Sequence, residues 1–158
     1  ILHLHRLEKV WLLIGIGTLV MFLTIVGISA FAQGHHPPSD LTTLDPQKVD
    51  TTEPFNQPGL KKIGDNEYEL VIVSQAFAFM PNDIKIPEGA KVHIIVTSKD
   101  VVHGLEIVGT NVNMMVTPGH VNSLTHTFHK PGSYLIICNE YCGTGHQMMS
   151  TKIEVTKA

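Results

Sequence analysis

Apolar and polar positions fall into two regimes along the chain. Residues 10–32, VWLLIGIGTLVMFLTIVGISAFA, hold no charged side chain, and about 20 apolar residues in helical conformation cross a hydrocarbon layer of roughly 30 Å. One membrane-spanning α-helix is predicted there. After residue 60 the pattern becomes a series of short runs rich in β-branched residues, at 68–79, 84–86, 91–97, 104–108, 113–116, 120–128, 133–138 and 149–155. Pro87-Glu88-Gly89, Thr117-Pro118-Gly119 and Lys130-Pro131-Gly132 punctuate these runs as turns. Short strands at regular spacing predict an all-β antiparallel sandwich or barrel in which each strand buries one face. A helical domain is excluded, because β-branched residues crowd the runs and Pro and Gly recur too often.

Between the two regimes, residues 33–60 contain Pro37, Pro38, Pro46, Pro54 and Pro58, few large apolar side chains and no sustained period, which reads as an extended linker. The expected organisation is an N-terminus at 1–9, a transmembrane helix at 10–32, a linker at 33–60 and one β domain at 61–158. A cleaved secretory signal is the alternative for the apolar run, since Ala30-Phe31-Ala32 has the small residues of a cleavage site. The run outlasts the roughly 7 to 15 apolar residues of a signal core, and Trp11 stands where an interface anchor would. A retained anchor is therefore expected.

Charge adds an orientation. Arg6 and Lys9 precede the apolar run, and no Lys or Arg follows it until Lys48, so the positive-inside rule puts the N-terminus in the cytoplasm and the β domain on the outer face of the membrane, in a bacterium the periplasmic side. The formal net charge is only −3. Nothing in it resembles the clustered Lys and Arg that neutralise phosphates, so nucleic acid is excluded as a partner.

Chemistry concentrates between the last two runs. Cys138, Cys142, His146 and Met149 form a C-x3-C-x3-H-x2-M array, and soft thiolates, an imidazole and a thioether on one loop are what copper selects. Zinc would take the cysteines and histidine but gains little from a thioether. A disulfide between the cysteines would close a very short loop and leave the His146 and Met149 spacing unexplained. A further strong ligand must come from elsewhere, and His103, at the start of a strand, is the candidate. Two bridging thiolates can hold two copper ions, one histidine on each, with Met149 and the Glu140 carbonyl as weak ligands, whereas a mononuclear blue-copper site needs one cysteine. Met148, one residue early for the array, is expected to pack in the core. His3, His5, His35, His36, His93, His120, His126 and His129 show no ligand spacing. Phe77, Phe79 and Met80 alternate as core residues, one of them being a candidate for an exposed docking patch.

The ligand loop, Val102-His103-Gly104, Gly109-Thr110-Asn111-Val112-Asn113, Pro118-Gly119 and Lys130-Pro131-Gly132-Ser133-Tyr134 resemble the CuA domain of subunit II of haem-copper cytochrome c oxidases. A single N-terminal span ahead of a short domain is similar to the B-type branch of that family. The resemblance implies a cupredoxin-like fold and a dinuclear copper centre with ligands His103, Cys138, Glu140 through its main-chain oxygen, Cys142, His146 and Met149. It implies electrons arriving from cytochrome c and leaving to a low-spin haem in oxidase subunit I, where oxygen is reduced to water and protons are translocated. A small third subunit is a candidate partner. In the larger oxidases the glutamate between the cysteines also binds magnesium, and Glu140 holds that place, with an interface hydrogen-bond acceptor as its alternative role. Other readings of the array are the CuA domain of a nitrous oxide reductase, a mononuclear carrier and a copper-delivery protein.

Overall fold

A computed structural model describes residues 5–33 and 42–157, which separate into an N-terminal unit and a C-terminal unit. The N-terminal unit is one helix, α1, Arg6–Ala32. Its start is a capping box in which the Glu8 carboxylate accepts from the His5 backbone N–H at 2.8 Å, satisfying one of the donors a helix start leaves free. Within it Thr18 and Thr24 turn their hydroxyls back onto the carbonyls of Ile14 and Val20, both at 2.8 Å, so neither leaves an unpaired donor on an apolar surface. With a mean hydropathy of 2.4, α1 is long and apolar enough to cross a membrane.

The C-terminal unit packs two sheets face to face. Its strands are β1 (Gly59–Gly64), β2 (Glu67–Gln75), β3 (Ala78–Met80), β4 (Asp83–Pro87), β5 (Lys91–Ser98), β6 (His103–Ile107), β7 (Asn113–Val116), β8 (Asn122–Thr127), β9 (Gly132–Ile137) and β10 (Ser150–Thr156). One sheet runs β1-β2-β5-β8 with β3 on β2, and the other runs β4-β10-β9-β6-β7. Most ladders are antiparallel, as the turn-punctuated sequence predicts; β2 with β5 and β4 with β10 run parallel. Alternate residues of the strands, among them Leu70, Ile72, Ile94, Leu105, Ile136 and Ile153, meet between the sheets in one core.

β2 is buried on both faces, which explains its continuous apolar run. Leu70 and Ile72 point into the main core, and Val71 and Val73 point out into a second cluster with Ile95, Val121, Val49 and Phe55. The last two come from the stretch expected as an extended linker. Its beginning lies outside the described residues, but from Thr42 onward it is a folded strap. Asp45 caps a 3-10 turn, Pro46–Thr51, by accepting from Gln47 N–H at 3.0 Å. Backbone bonds from Leu44 to Gly119 (3.0 Å) and from Val121 to Thr42 (3.1 Å) tie the strap to the sheet, and Lys99 pairs with Asp50. Burying Phe55 and Val49 contributes about 1.5 to 3 kcal/mol each, enough to hold such a segment down.

The expected single run at 68–79 is instead two strands around a tight turn at Ala76-Phe77, where Phe77 adopts φ +70°. β1, ahead of the first expected strand, pairs with β2 through a turn in which Asn66 takes φ 55°, a conformation asparagine tolerates.

Candidate metal centre

Sheet register builds the site. β6 and β9 pair antiparallel with Glu106 opposite Ile137, so the chain leaving β9 runs alongside the start of β6. Cys138, the first residue beyond β9, therefore arrives beside His103, the first residue of β6. The connection from β9 to β10 is closed at its base by the Cys138 N–H donating to the Met149 carbonyl at 3.1 Å. Inside it, a short 3-10 turn, His146–Met148, is fixed by His146 N–H to Gly143 O and Met149 N–H to His146 O, both 3.1 Å. That turn throws Met148 outward, 76% exposed, and Met149 inward, 2% exposed. The expectation of Met148 as a core residue is corrected: Met149 fills the interior position.

The donor atoms converge. The two thiols stand 3.7 Å apart, and both cysteines are free, well beyond the roughly 2.05 Å of a disulfide. Around them, Cys138 Sγ lies 3.9 Å from His103 Nδ1 and 3.1 Å from the Glu140 carbonyl oxygen. Cys142 Sγ lies 3.6 Å from His146 Nδ1 and 3.7 Å from Met149 Sδ. Donors bound to one tetrahedral ion at about 2.3 Å are about 3.8 Å apart, so these separations leave the groups spaced as a shared metal would need. His103, Cys138 and Cys142 are all buried, with ligand atoms within 4.8 Å of one another. All six residues expected as ligands thus meet at one end of the sandwich. None of His93, His120, His126 or His129 joins them: His93 contacts Thr125, and His126 contacts Asn111.

Electrostatics prepare the donors differently. Burial pushes the Cys142 thiol up to about 11, with the neighbouring Cys138 adding to the effect, so this thiol holds its proton until a cation replaces it. Partial burial opposes charge on Asp100, yet hydrogen bonds from His103, Val101 N–H and Ala76 N–H outweigh it and hold the carboxyl below its ordinary value.

Several supporting residues escape a reading based on spacing. Asn139 donates to Glu106 at 3.0 Å and to Asn113 at 3.1 Å, pinning the loop onto β6 and β7. Gly104 leaves the room that Asn139 occupies: a Cβ there would stand 1.9 Å from Asn139 Oδ1 and 2.9 Å from the Glu140 nitrogen. Phe77 lies against the loop glycines, so close that a Cβ on Gly145 would be 2.6 Å from its ring. Phe79 is core, whereas Phe77 and Met80 are each about two-fifths exposed.

Two facing sheets with a sulfur- and imidazole-lined site between the last two strands define a cupredoxin-like domain, a metal-carrying class of β-sandwich. Comparisons agree and go further. Residues 67–156 match the family model described as cytochrome c oxidase subunit II, periplasmic domain. Cytochrome c oxidase subunit 2 of Thermus thermophilus is 38% identical over 152 residues, covering 94% of this chain and 90% of that protein. A solved heme-copper terminal oxidase dimer contains a chain that superposes with TM-score 0.80 at 38% identity, over 96% of this chain and all of that one. The periplasmic domain of subunit II of the Bradyrhizobium japonicum cytochrome oxidase, at 19% identity, shares the fold with TM-score 0.53 over 56% of this chain and 83% of that one. The chain belongs to the cytochrome c oxidase subunit II family, and so is a subunit of an oxidoreductase complex.

Proposed function

We propose that this chain is the electron-accepting subunit of a haem-copper oxidase and carries a dinuclear copper centre held by His103, Cys138, Cys142, His146, Met149 and the Glu140 main-chain oxygen. The observation that carries the reading is the pair of free thiols 3.7 Å apart, each with its own imidazole nitrogen within 4 Å. A second thiolate is superfluous for one blue copper ion and fits two bridged ions. When bound, copper supplies a one-electron carrier between cytochrome c and the low-spin haem of subunit I, whose chain reduces oxygen and translocates protons.

The protein's part is to hold the donors still. Cys138 and Met149 sit where β9 ends and β10 begins, so two strands fix the ends of the loop, and β6 fixes His103. Rigid donors limit how far the bonds rearrange when the charge changes, which keeps electron transfer fast at a small driving force. The loop also excludes water from the sulfurs, since both cysteines and Met149 are buried.

Exposed apolar side chains flank the ligands along the chain: Val101 and Val102 before His103, Tyr141 and Met148 within the loop, and Phe77 against it. They form the docking face for cytochrome c. Arg6 and Lys9, in the first turn of α1, keep the N-terminus cytoplasmic and the copper domain outside.

Electron paramagnetic resonance and copper content of the purified full chain, loaded in detergent, test the reading. Two coppers per chain sharing one unpaired electron is the expected result. One copper with a single-ion spectrum, or none retained, would overturn it in favour of a mononuclear carrier or a delivery protein.

A further inference from the structure

We propose that Asp100 is the positioning residue of the centre: its carboxylate fixes the His103 ring in the tautomer that presents Nδ1 to the thiols, and ties that ring to the hairpin packed on the ligand loop. The inference rests on the copper reading above for its consequence, but its geometry stands without metal. His103 is fully buried, with Nδ1 toward Cys138 and Nε2 2.9 Å from Asp100 Oδ1. A carboxylate accepts only, so Nε2 carries a proton, and in the neutral ring Nδ1 is then the nitrogen that keeps its lone pair. A ligand histidine usually gives its second ring N–H to such a partner, which sets orientation and strengthens donation to the metal.

Asp100 is itself held on several sides. Its Oδ1 accepts from Val101 N–H at 2.7 Å and lies 3.3 Å from the Ser98 hydroxyl, while its Oδ2 accepts from Ala76 N–H. Ser98 in turn donates to the Val101 carbonyl at 2.6 Å, locking the turn between β5 and β6. Ala76 adjoins Phe77, whose ring lies on Gly143 and Gly145 of the ligand loop. One carboxylate thus joins the β2–β3 turn, the β5–β6 turn and a ligand on β6. The turn also has reason to need a tether, because Phe77 holds φ +70°, a conformation costly for a bulky residue.

The test compares the full chain with Asp100→Asn, which keeps the shape and removes the charge, and Asp100→Ala, which removes the acceptor; Glu154→Gln serves as a charge control. In the metal-free chain, long-range proton–nitrogen NMR of His103 reads the tautomer directly. A single Nε2–H form is expected in the wild type and a mixture in Asp100→Ala. In the copper-loaded chain, affinity should fall by about 10- to 100-fold, and the reduction potential should rise in both Asp100 variants, because a negative charge and a stronger imidazole donor both favour the oxidised ions. Glu154→Gln should move neither. An unchanged tautomer with an unchanged potential would overturn the proposal. Failure of the wild-type chain to bind two coppers would instead sink the copper reading, and the metal-free tautomer would still decide the role of Asp100.

Discussion

Gly104 shows how little room separates a working centre from a broken one. In Gly104→Ala the new methyl overlaps the Asn139 side chain and crowds the Glu140 nitrogen, so the loop must lift off β6. Such overpacking costs about 1 to 3 kcal/mol; the expected outcome is a chain with unchanged β-sheet circular dichroism that no longer retains two coppers. A second residue-scale prediction concerns pH. The Cys142 thiol, raised from 9.0 to about 11, keeps in the folded metal-free chain a proton that the unfolded chain releases first. The contribution of this thiol to stability is therefore level below about pH 9 and falls as pH rises toward about 11, by on the order of 2 kcal/mol. Urea midpoints of the wild type against Cys142→Ser across that range should show the fall only in the wild type. At neutral pH the same Cys142 proton must leave when copper binds, so loading tightens as pH increases. The array itself was legible because its donors are neighbours in sequence. Asp100, Asn139 and Gly104 were not, because their roles are contacts across space: Asp100 reaches the β2–β3 turn and the His103 ring, and Asn139 and Gly104 meet where the loop after β9 crosses β6.

Among the elements, the strap from Thr42 to the start of β1 departs most from what its composition suggests. Prolines and sparse apolar residues read as linker, yet Val49 and Phe55 are enough to seat it on the outer face of β2, because β2 exposes Val71 and Val73 there. Isolated anchors carry no period, which is why the pattern of the chain does not announce them. Phe55→Ala should destabilise the domain by about 3 to 5 kcal/mol, read from urea unfolding of the full chain. An effect below about 1 kcal/mol would mean the strap is a passive tether. The parallel pairing of β2 with β5 was equally hidden, since runs of apolar residues give no direction. The strands flanking Pro-Gly turns, by contrast, fall close to where the sequence places them.

Over the whole molecule, modest net charge and an apolar rim around the ligand loop act together. On the proposed docking face, binding of cytochrome c would gain little from long-range attraction, so turnover of the assembled oxidase should vary only weakly with ionic strength. A steep loss of turnover between low and physiological salt would point to charge pairing as the main contact. The fold class and the apolar helix were readable from patterning alone, because periodicity and run length report burial directly. How the sheets meet was not, since it depends on pairings between distant segments. One such pairing closes the site. β10 joins β4 in parallel, and Thr151 donates to the Asn82 carbonyl 69 residues earlier in the chain, a pairing between distant segments that costs loop-closure entropy. β10 is also the strand that carries Met149 into the core and closes the base of the ligand loop. Both cysteines precede β10 in the chain, so the pocket around them is complete only once β10 has paired with β4 and β9. A chain in which β10 has not docked therefore holds both cysteines without the cage that would keep a metal between them.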